Sequence, residues 1–318
     1  MRGFDAEFLD LEHYIQLITQ RIWEGRRIDD IHRYYSADCA VETPGGVSLG
    51  AGPVVDSTRA TLVMFPDREL LAEDVLWSGD DEHGFLSSHR ILSPMTHMGD
   101  GAFGPASARR IHARTIADCV CLDNRVIHEW LVRDQAAIAR QIGLHERDLA
   151  QAWLAQRGPI AKPPMPPVPG AYRSHIASGP LARAYRGLYE QLWQGQGLDG
   201  VLQLHDRASV MAAPAGQSVY GHLAIRDFWA DLLAAFDGVQ FELEHLAEVR
   251  RAERNPAVAM RWRVRARHAG PGRYGEPSGN TVEIMGISHA EFANGRLLRE
   301  WLLVDEVAIW MQVLAPRT

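Results

Sequence analysis

The chain is 318 residues long, 46% hydrophobic and 23% charged, with a formal net charge of −7. That length suits two domains of roughly 140 to 150 residues each, and the acidic balance excludes the basic footprint of a nucleic-acid-binding protein. No apolar run reaches the roughly 18 residues of a membrane-spanning helix, so no membrane partner is expected.

In chain order, Leu9, Leu11, Tyr14, Ile15, Ile18, Ile22 and Trp23 recur at helical spacing and predict an amphipathic helix over 8–24, stopped at Gly25. A short helix through Ile28, Ile31, Tyr34 and Tyr35 follows, then a Gly-rich turn region around a short strand at 40–52. A third helix over 56–65 ends at Pro66. The pattern then changes to strands at 69–77, 84–96, 109–122 and 125–134, with one more helix at 146–156. GPIAKPPMPPVPG, at 158–170, reads as a stiff polyproline-type linker. Beyond it the order repeats: helices at 181–194, 198–204 and 222–235, then strands at 240–249, 257–268, 281–292 and 296–305.

The repeat is visible in the letters. VIHEWLVRDQAAIARQIG at 126–143 returns as LLREWLLVDEVAIWMQVL at 297–314, an offset of 171 that also matches Phe65 with Phe236, Arg90 with Arg261, His97 with His268, Gly99 with Gly270 and Gly104 with Gly275. Near the start, Trp23-Glu24-Gly25 matches Trp193-Gln194-Gly195 one residue out of phase. A constant offset over so long a stretch predicts two copies of one domain, each closing its own core. We assign 1–150 to the first domain, 151–179 to a helix end and linker, and 180–318 to the second. The fold class is α+β: two tandem cone-shaped barrels, each with three helices packed on a curved antiparallel sheet. The open end of each cone is the expected ligand pocket.

Cys39, Cys119 and Cys121 are too few for a disulfide framework and lack zinc-site spacing. Lys162, in the linker, is the one lysine among 33 basic residues, which leaves no buried Schiff-base lysine. No Ser or Cys stands in a nucleophile motif and no Gly-rich phosphate loop is present. MRGFDAEFLDLEHY carries acids where a secretory leader needs an apolar core, and the expected location is cytoplasmic.

Alternation and turn chemistry give a register. Three-residue loops at Leu122-Asp123-Asn124 and Ala293-Asn294-Gly295 would pair Asp118 with His128, Ile116 with Trp130 and His112 with Asp134, and likewise His289 with Arg299, Ile287 with Trp301 and Glu283 with Asp305. Opposed residues share a face at roughly 4.5–5.5 Å. With His97 and His268 turned toward the same sheet end, two catalytic constellations are expected: His97, His112 and Asp134, and His268, Glu283 and Asp305. Trp130, Trp301, His289, Asp118, His89 and Trp262 are the candidate substrate-contacting residues. Asp134 and Asp305 also precede helices, where Asp is a favoured cap. Ala113, Ala117, Gly286, Ser288 and Ala290 would lie on the opposite face, suited to sheet-to-sheet packing of the two cones as an intrachain pseudo-dimer.

The run THMGDGAFGPASARRIHARTIADCVCLDNRVIHEWLVRDQAAIARQIG resembles the SnoaL-like polyketide cyclases (ester cyclases) of the nuclear transport factor 2-like superfamily, which share a His-x-Gly, a nearby Gly, a strand and turn, then Glu-Trp or Glu-x-Trp and Asp. The resemblance covers about 10–145 and 180–315. It implies a cone-shaped α+β barrel, no cofactor, a small-molecule substrate, and an aspartate acting as acid and base in an intramolecular aldol closure. The expected function is a cofactor-free acid/base enzyme on a bulky, mostly apolar carbonyl compound: cyclase, isomerase or lyase. The alternatives are a non-catalytic binding module of the same fold, an epoxide hydrolase-like enzyme and a two-His-one-carboxylate metal site; no metal is the expectation, and a homodimer is the alternative to the intrachain pseudo-dimer.

Overall fold

A computed structural model describes every residue except Lys162, Ala171, Gln196, Arg317 and Thr318. The single lysine therefore lies outside the described residues. The chain divides into two compact units, Met1–His145 with Ala161–Arg173, and Glu146–Ile160 with Ser174–Thr318. The helix expected to straddle the first domain boundary thus groups with the second unit.

In the first unit α1 (Leu11–Thr19) starts where the Asp10 carboxylate accepts the His13 backbone N–H at 2.7 Å. Leu11, Tyr14, Ile15 and Ile18 form its buried stripe, and a π turn at Gln20–Glu24 carries it to Gly25. Then come α2 (Ile31–Tyr34), β1 (Tyr35–Thr43), β2 (Gly46–Leu49), α3 (Ala51–Met64), β3 (Leu71–Asp80), β4 (Gly84–Thr96), β5 (Arg110–Leu122), β6 (Arg125–Arg133) and α4 (Gln135–Ile142). The strand order is β2-β1-β6-β5-β4-β3. The sheet has six strands rather than four, and it is mixed, because β1 runs parallel to β6. YSADCAVET, with its interleaved Ser, Asp and Glu, masked β1 in the sequence.

The second unit holds α5 (Glu146–Arg157), α6 (Pro180–Trp193), α7 (Asp199–Leu204), β7 (His205–Ala213), β8 (Gln217–Tyr220), α8 (His222–Ala234), β9 (Phe236–Arg251), β10 (Arg254–His268), β11 (Thr281–Ala293), β12 (Arg296–Leu303) and α9 (Glu306–Leu314). Its sheet order, β8-β7-β12-β11-β10-β9, is that of the first unit strand for strand.

The matched glycines have a steric reason. A Cβ at Gly99 would fall 2.0 Å from the Val63 carbonyl oxygen, and one at Gly270 would fall 1.7 Å from that of Ala234. In both copies the loop after the fourth strand docks on the end of the third helix, where the Met64 and Ala235 carbonyls accept its N–H groups.

Both predicted hairpin registers shift by two. Leu122 pairs with Arg125 and Ala293 with Arg296, so each turn has two residues, Asp123-Asn124 and Asn294-Gly295, all four at positive φ. A bulge next to each turn adds a further step, leaving Asp118 opposite Trp130 and His289 opposite Trp301.

Candidate functional site

Every second residue of the inner sheet face of the first unit meets a cavity of about 160 Å³. Ile91 on β4, Thr115, Ala117 and Cys119 on β5, and Glu129, Leu131 and Arg133 on β6 line the sheet side. Ile15, Ile18, Thr19 and Trp23 cover it from α1 and its π turn, and Val54, Ser57, Thr58 and Thr61 from α3. The wall is mostly aliphatic and hydroxyl-bearing, so its charged groups stand out.

Glu129 is one of these. It is paired with Val41 on β1 and Cys119 on β5, in the middle of the sheet, and is 5% exposed. Burial pushes its carboxyl pKa up to about 7; a hydrogen bond from the Tyr35 phenol and the positive charge of Arg133 pull in the opposite direction and are overcome. Tyr35 is buried, and desolvation with the adjacent Glu129 holds its phenol well above the ordinary range, so it stays a proton donor. His89, 2% exposed, is driven down to about 4 by burial and by Arg90, and is a neutral imidazole at pH 7. Arg68 and Arg133 complete the polar set. Thus a carboxyl poised near neutrality faces an apolar chamber with a phenol beside it and two guanidiniums elsewhere on the wall.

The same positions in the second unit are filled. Its register puts His205 where Tyr35 stands, opposite Leu297 as Tyr35 is opposite Val126, and Glu300 corresponds to Glu129. Where the first cavity has Ile15, Thr19, Thr58 and Ile91, the second unit has Tyr185, Tyr189, Trp229 and Trp262, all fully buried. Trp262 stacks among Tyr189, Trp193 and Phe241, with ring centroids 5.6, 5.5 and 6.4 Å away. Opposite it, Gly286 replaces the Thr115 that faces Ile91; a Cβ there would lie 2.1 Å from the indole. Glu300 is tied inside this block, accepting the Tyr185 phenol at 2.7 Å and the Tyr189 phenol at 2.9 Å, with His205 Nε2 at 3.2 Å. The Val201 carbonyl fixes a proton on His205 Nδ1, so the His205–Glu300 contact requires one further proton, on either the ring or the carboxyl. This carboxyl is an anchor between α6, β7 and β12.

The expected constellations do not assemble. His112 is exposed, opposite Pro94, with its backbone bracketed by the Gln141 side chain. Asp134 lies beyond the last pair of β6, where its carboxylate caps α4 by accepting the Ala137 N–H at 2.9 Å. Asp305 likewise caps α9, accepting from Val307 and Ala308 at 3.0 and 3.2 Å, while Glu283 faces Arg265 across β10. His97 and His268 are buried at matched places, each with Nδ1 against a loop serine, Ser107 at 3.2 Å and Ser278 at 3.1 Å, so both tie the loop after the fourth strand. Asp118 and Trp130 oppose each other on the sheet face away from the cavity, and His289 with Trp301 forms the equivalent pair. Ala113 and Ala117, expected on the outer face, line the first unit's interior instead. Of the named residues only His89 reaches the open cavity, and Trp262 plugs the other.

The physical reason is that alternation assigns residues to two faces but does not say which one is inside. Asp134 stood as the reference, yet past the strand end the chain turns to cap a helix and side-chain alternation no longer applies. The inward carboxylate is five positions earlier. An acid in mid-strand between Ile127 and Val132 was the available signal for Glu129; nothing local marked Tyr35 or Arg68. Among the described residues, no three His, Cys, Asp or Glu side chains converge as a metal centre would require.

Residues 185–300 match the family model of the SnoaL-like domain. The second unit is therefore similar to the SnoaL-like domain over most of its length. The first unit repeats its strand order, so the chain carries this α+β fold twice in tandem. Among solved structures, a protein from Jannaschia assigned as a SnoaL-like polyketide cyclase is similar at 20% identity, over 46% of this chain and 100% of its own, with a TM-score of 0.39. IdmH from Streptomyces antibioticus aligns at 17% identity over 41% of this chain and 96% of its own, with a TM-score of 0.36. AclR from Streptomyces galilaeus, assigned as a hydroxylase, aligns at 19% identity over 41% and 92%, with a TM-score of 0.36. The comparison with curated proteins found no match. Within the tandem, the SnoaL-like domain that the family model matches is the aromatic-filled one, and the open cavity belongs to its partner copy.

Proposed function

We propose that the first SnoaL-like unit is a cofactor-free acid/base catalyst for a compact carbonyl compound, with Glu129 as the group that takes and returns the proton. The observation that carries this reading is the buried Glu129 carboxyl, near pH 7 in its titration, on the wall of a largely apolar cavity. Ionised Glu129 removes a proton from a carbon next to a carbonyl; the C–H electron pair moves to form the enolate, whose oxygen takes the negative charge. Protonated Glu129 then delivers the proton to another carbon, giving an isomer, or to the alkoxide formed when the enolate carbon adds to a second carbonyl, giving an aldol ring closure. Tyr35 orients the carboxylate, and Arg133 lowers the energy of negative charge in the chamber. A cavity of about 160 Å³ is near the size that holds a single benzene ring, so the fitting substrate is smaller than a bulky polycycle.

The test uses 5-nitrobenzisoxazole, whose ring opens when a base removes one C–H proton. Wild-type turnover should rise with pH to a plateau with a midpoint near 7, and Glu129→Gln should lower it by on the order of 10²–10⁴-fold. A Gln variant as active as wild type leaves the chain a non-catalytic binding module.

A further inference from the structure

Arg68 stands out in the first unit because it is a buried cation without a counterion. It is 6% exposed, and its guanidinium takes part in no ion pair or hydrogen bond among the described residues. Burial disfavours its charge, and the neighbouring Arg133 and Arg26 add repulsion in place of relief. A desolvated, uncompensated charge is costly, and proteins keep such a group where a ligand supplies its partner.

The backbone leaves this side chain little freedom to turn away. Arg68 sits in the loop between α3 and β3, its N–H bonded to the Phe65 carbonyl at 3.1 Å. The Arg26 guanidinium clamps the loop from outside, donating to the carbonyls of Pro66 at 2.7 Å and Arg68 at 3.2 Å. Next to it the Glu69 N–H is bonded to the Pro94 carbonyl at 3.2 Å. With the main chain held on both sides, the Arg68 side chain lines the cavity and also a smaller adjoining chamber formed with Met64, Phe65, Phe103 and Ile138. Thr61, Thr115 and Arg133 line both spaces with it.

We infer that Arg68 is the recognition point for a carboxylate on the ligand, held at the end of the cavity remote from Glu129. A planar guanidinium matches a carboxylate in two parallel hydrogen bonds, and Thr115 offers a hydroxyl at the same junction, the Thr61 hydroxyl being already given to the Ser57 carbonyl at 2.9 Å. Glu129 and Arg133 are four residues apart on one strand face, about 13 Å along the backbone, which leaves room for one ring between the two ends. The substrate class is then a ring-sized organic acid whose reactive C–H lies opposite its carboxylate. The second unit has Val239 and Val304 where Arg68 and Arg133 stand, so its filled cone lacks the anion end as well. This assignment deepens the acid/base reading of the same cavity, but its binding test does not depend on turnover.

Calorimetry with benzoate and its neutral isostere benzamide decides it. Wild-type protein should bind benzoate at least tenfold more tightly than benzamide; Arg68→Met should erase that preference, and Arg68→Lys should keep part of it. Glu129→Gln should retain the preference, so a failure of catalysis and a failure of anion recognition give different results. Equal affinity of the wild type for the two probes overturns the inference whether or not the Met variant folds. So does a benzoate preference that survives Arg68→Met in protein with a cooperative thermal transition.

Discussion

Glu129→Gln is the most informative substitution, because its effect on stability is fixed in sign and window by burial alone. The carboxyl moves from an ordinary value of 4.5 to about 7 in the folded chain. Between those values the folded state holds a proton that the unfolded state has released, so stability falls as pH rises through this window and levels off above 7. The interval corresponds to about 3 kcal/mol, with no discount for solvent because the group is buried. Gln has the shape of the protonated acid and keeps an oxygen to accept the Tyr35 phenol. The variant should therefore match wild type near pH 4.5 and exceed it by up to about 3 kcal/mol at pH 8.5. Hydrogen exchange of β6 amides reports the first unit by itself, and slow exchange should lengthen by on the order of 100-fold at the higher pH. Parallel pH profiles for the two proteins would refute the idea that Glu129 is desolvated, and with it the raised basicity on which the proposed chemistry depends.

His89 has the opposite sign: its pKa is depressed from 6.5 to about 4, so it contributes stability that is present above 6.5 and lost as pH falls through 4. His89→Leu should remove that acid-side slope, worth about 3 kcal/mol across the window, as read from urea midpoints at stepped pH. In the second unit Gly286→Thr forces a Cβ against Trp262 and should cost about 3 kcal/mol, whereas Gly286→Thr with Trp262→Ile recreates the Ile91–Thr115 pair and should recover at least about 1 kcal/mol; strict additivity in that cycle would count against the indole as the space-filling partner. Asp134→Asn and Asp305→Asn should each change stability by about 1 kcal/mol or less and leave 5-nitrobenzisoxazole turnover intact, while the Ala variants cost about 1 kcal/mol as lost caps. A specific loss of turnover in Asp134→Asn would return the base to the end of the strand.

The repeat, the α+β class and the meander of four strands in each copy were written in local pattern: period 3.6 in Leu11–Ile18, period two in 84–96 and 109–122, and a constant offset linking Trp130 to Trp301. Local sequence also marked Asp134 and Asp305 as helix caps, because an N-cap depends only on neighbours a few positions away. What it did not determine was parity and pairing. One bulge beside Cys121 and a tight Asp123-Asn124 turn moved the partners by two, and no local signal said which sheet face the helices would cover. β1, which carries the Tyr35 phenol that bonds Glu129, joins the sheet by a parallel pairing across more than eighty residues, a contact no short window contains. The difference between the two cones is likewise tertiary. Ile91 and Trp262, or Thr115 and Gly286, are unremarkable strand residues by themselves; whether they leave a cavity or close one depends on which side chains meet across the sheet and beneath the helices, because packing is a property of the assembled set rather than of any residue in it.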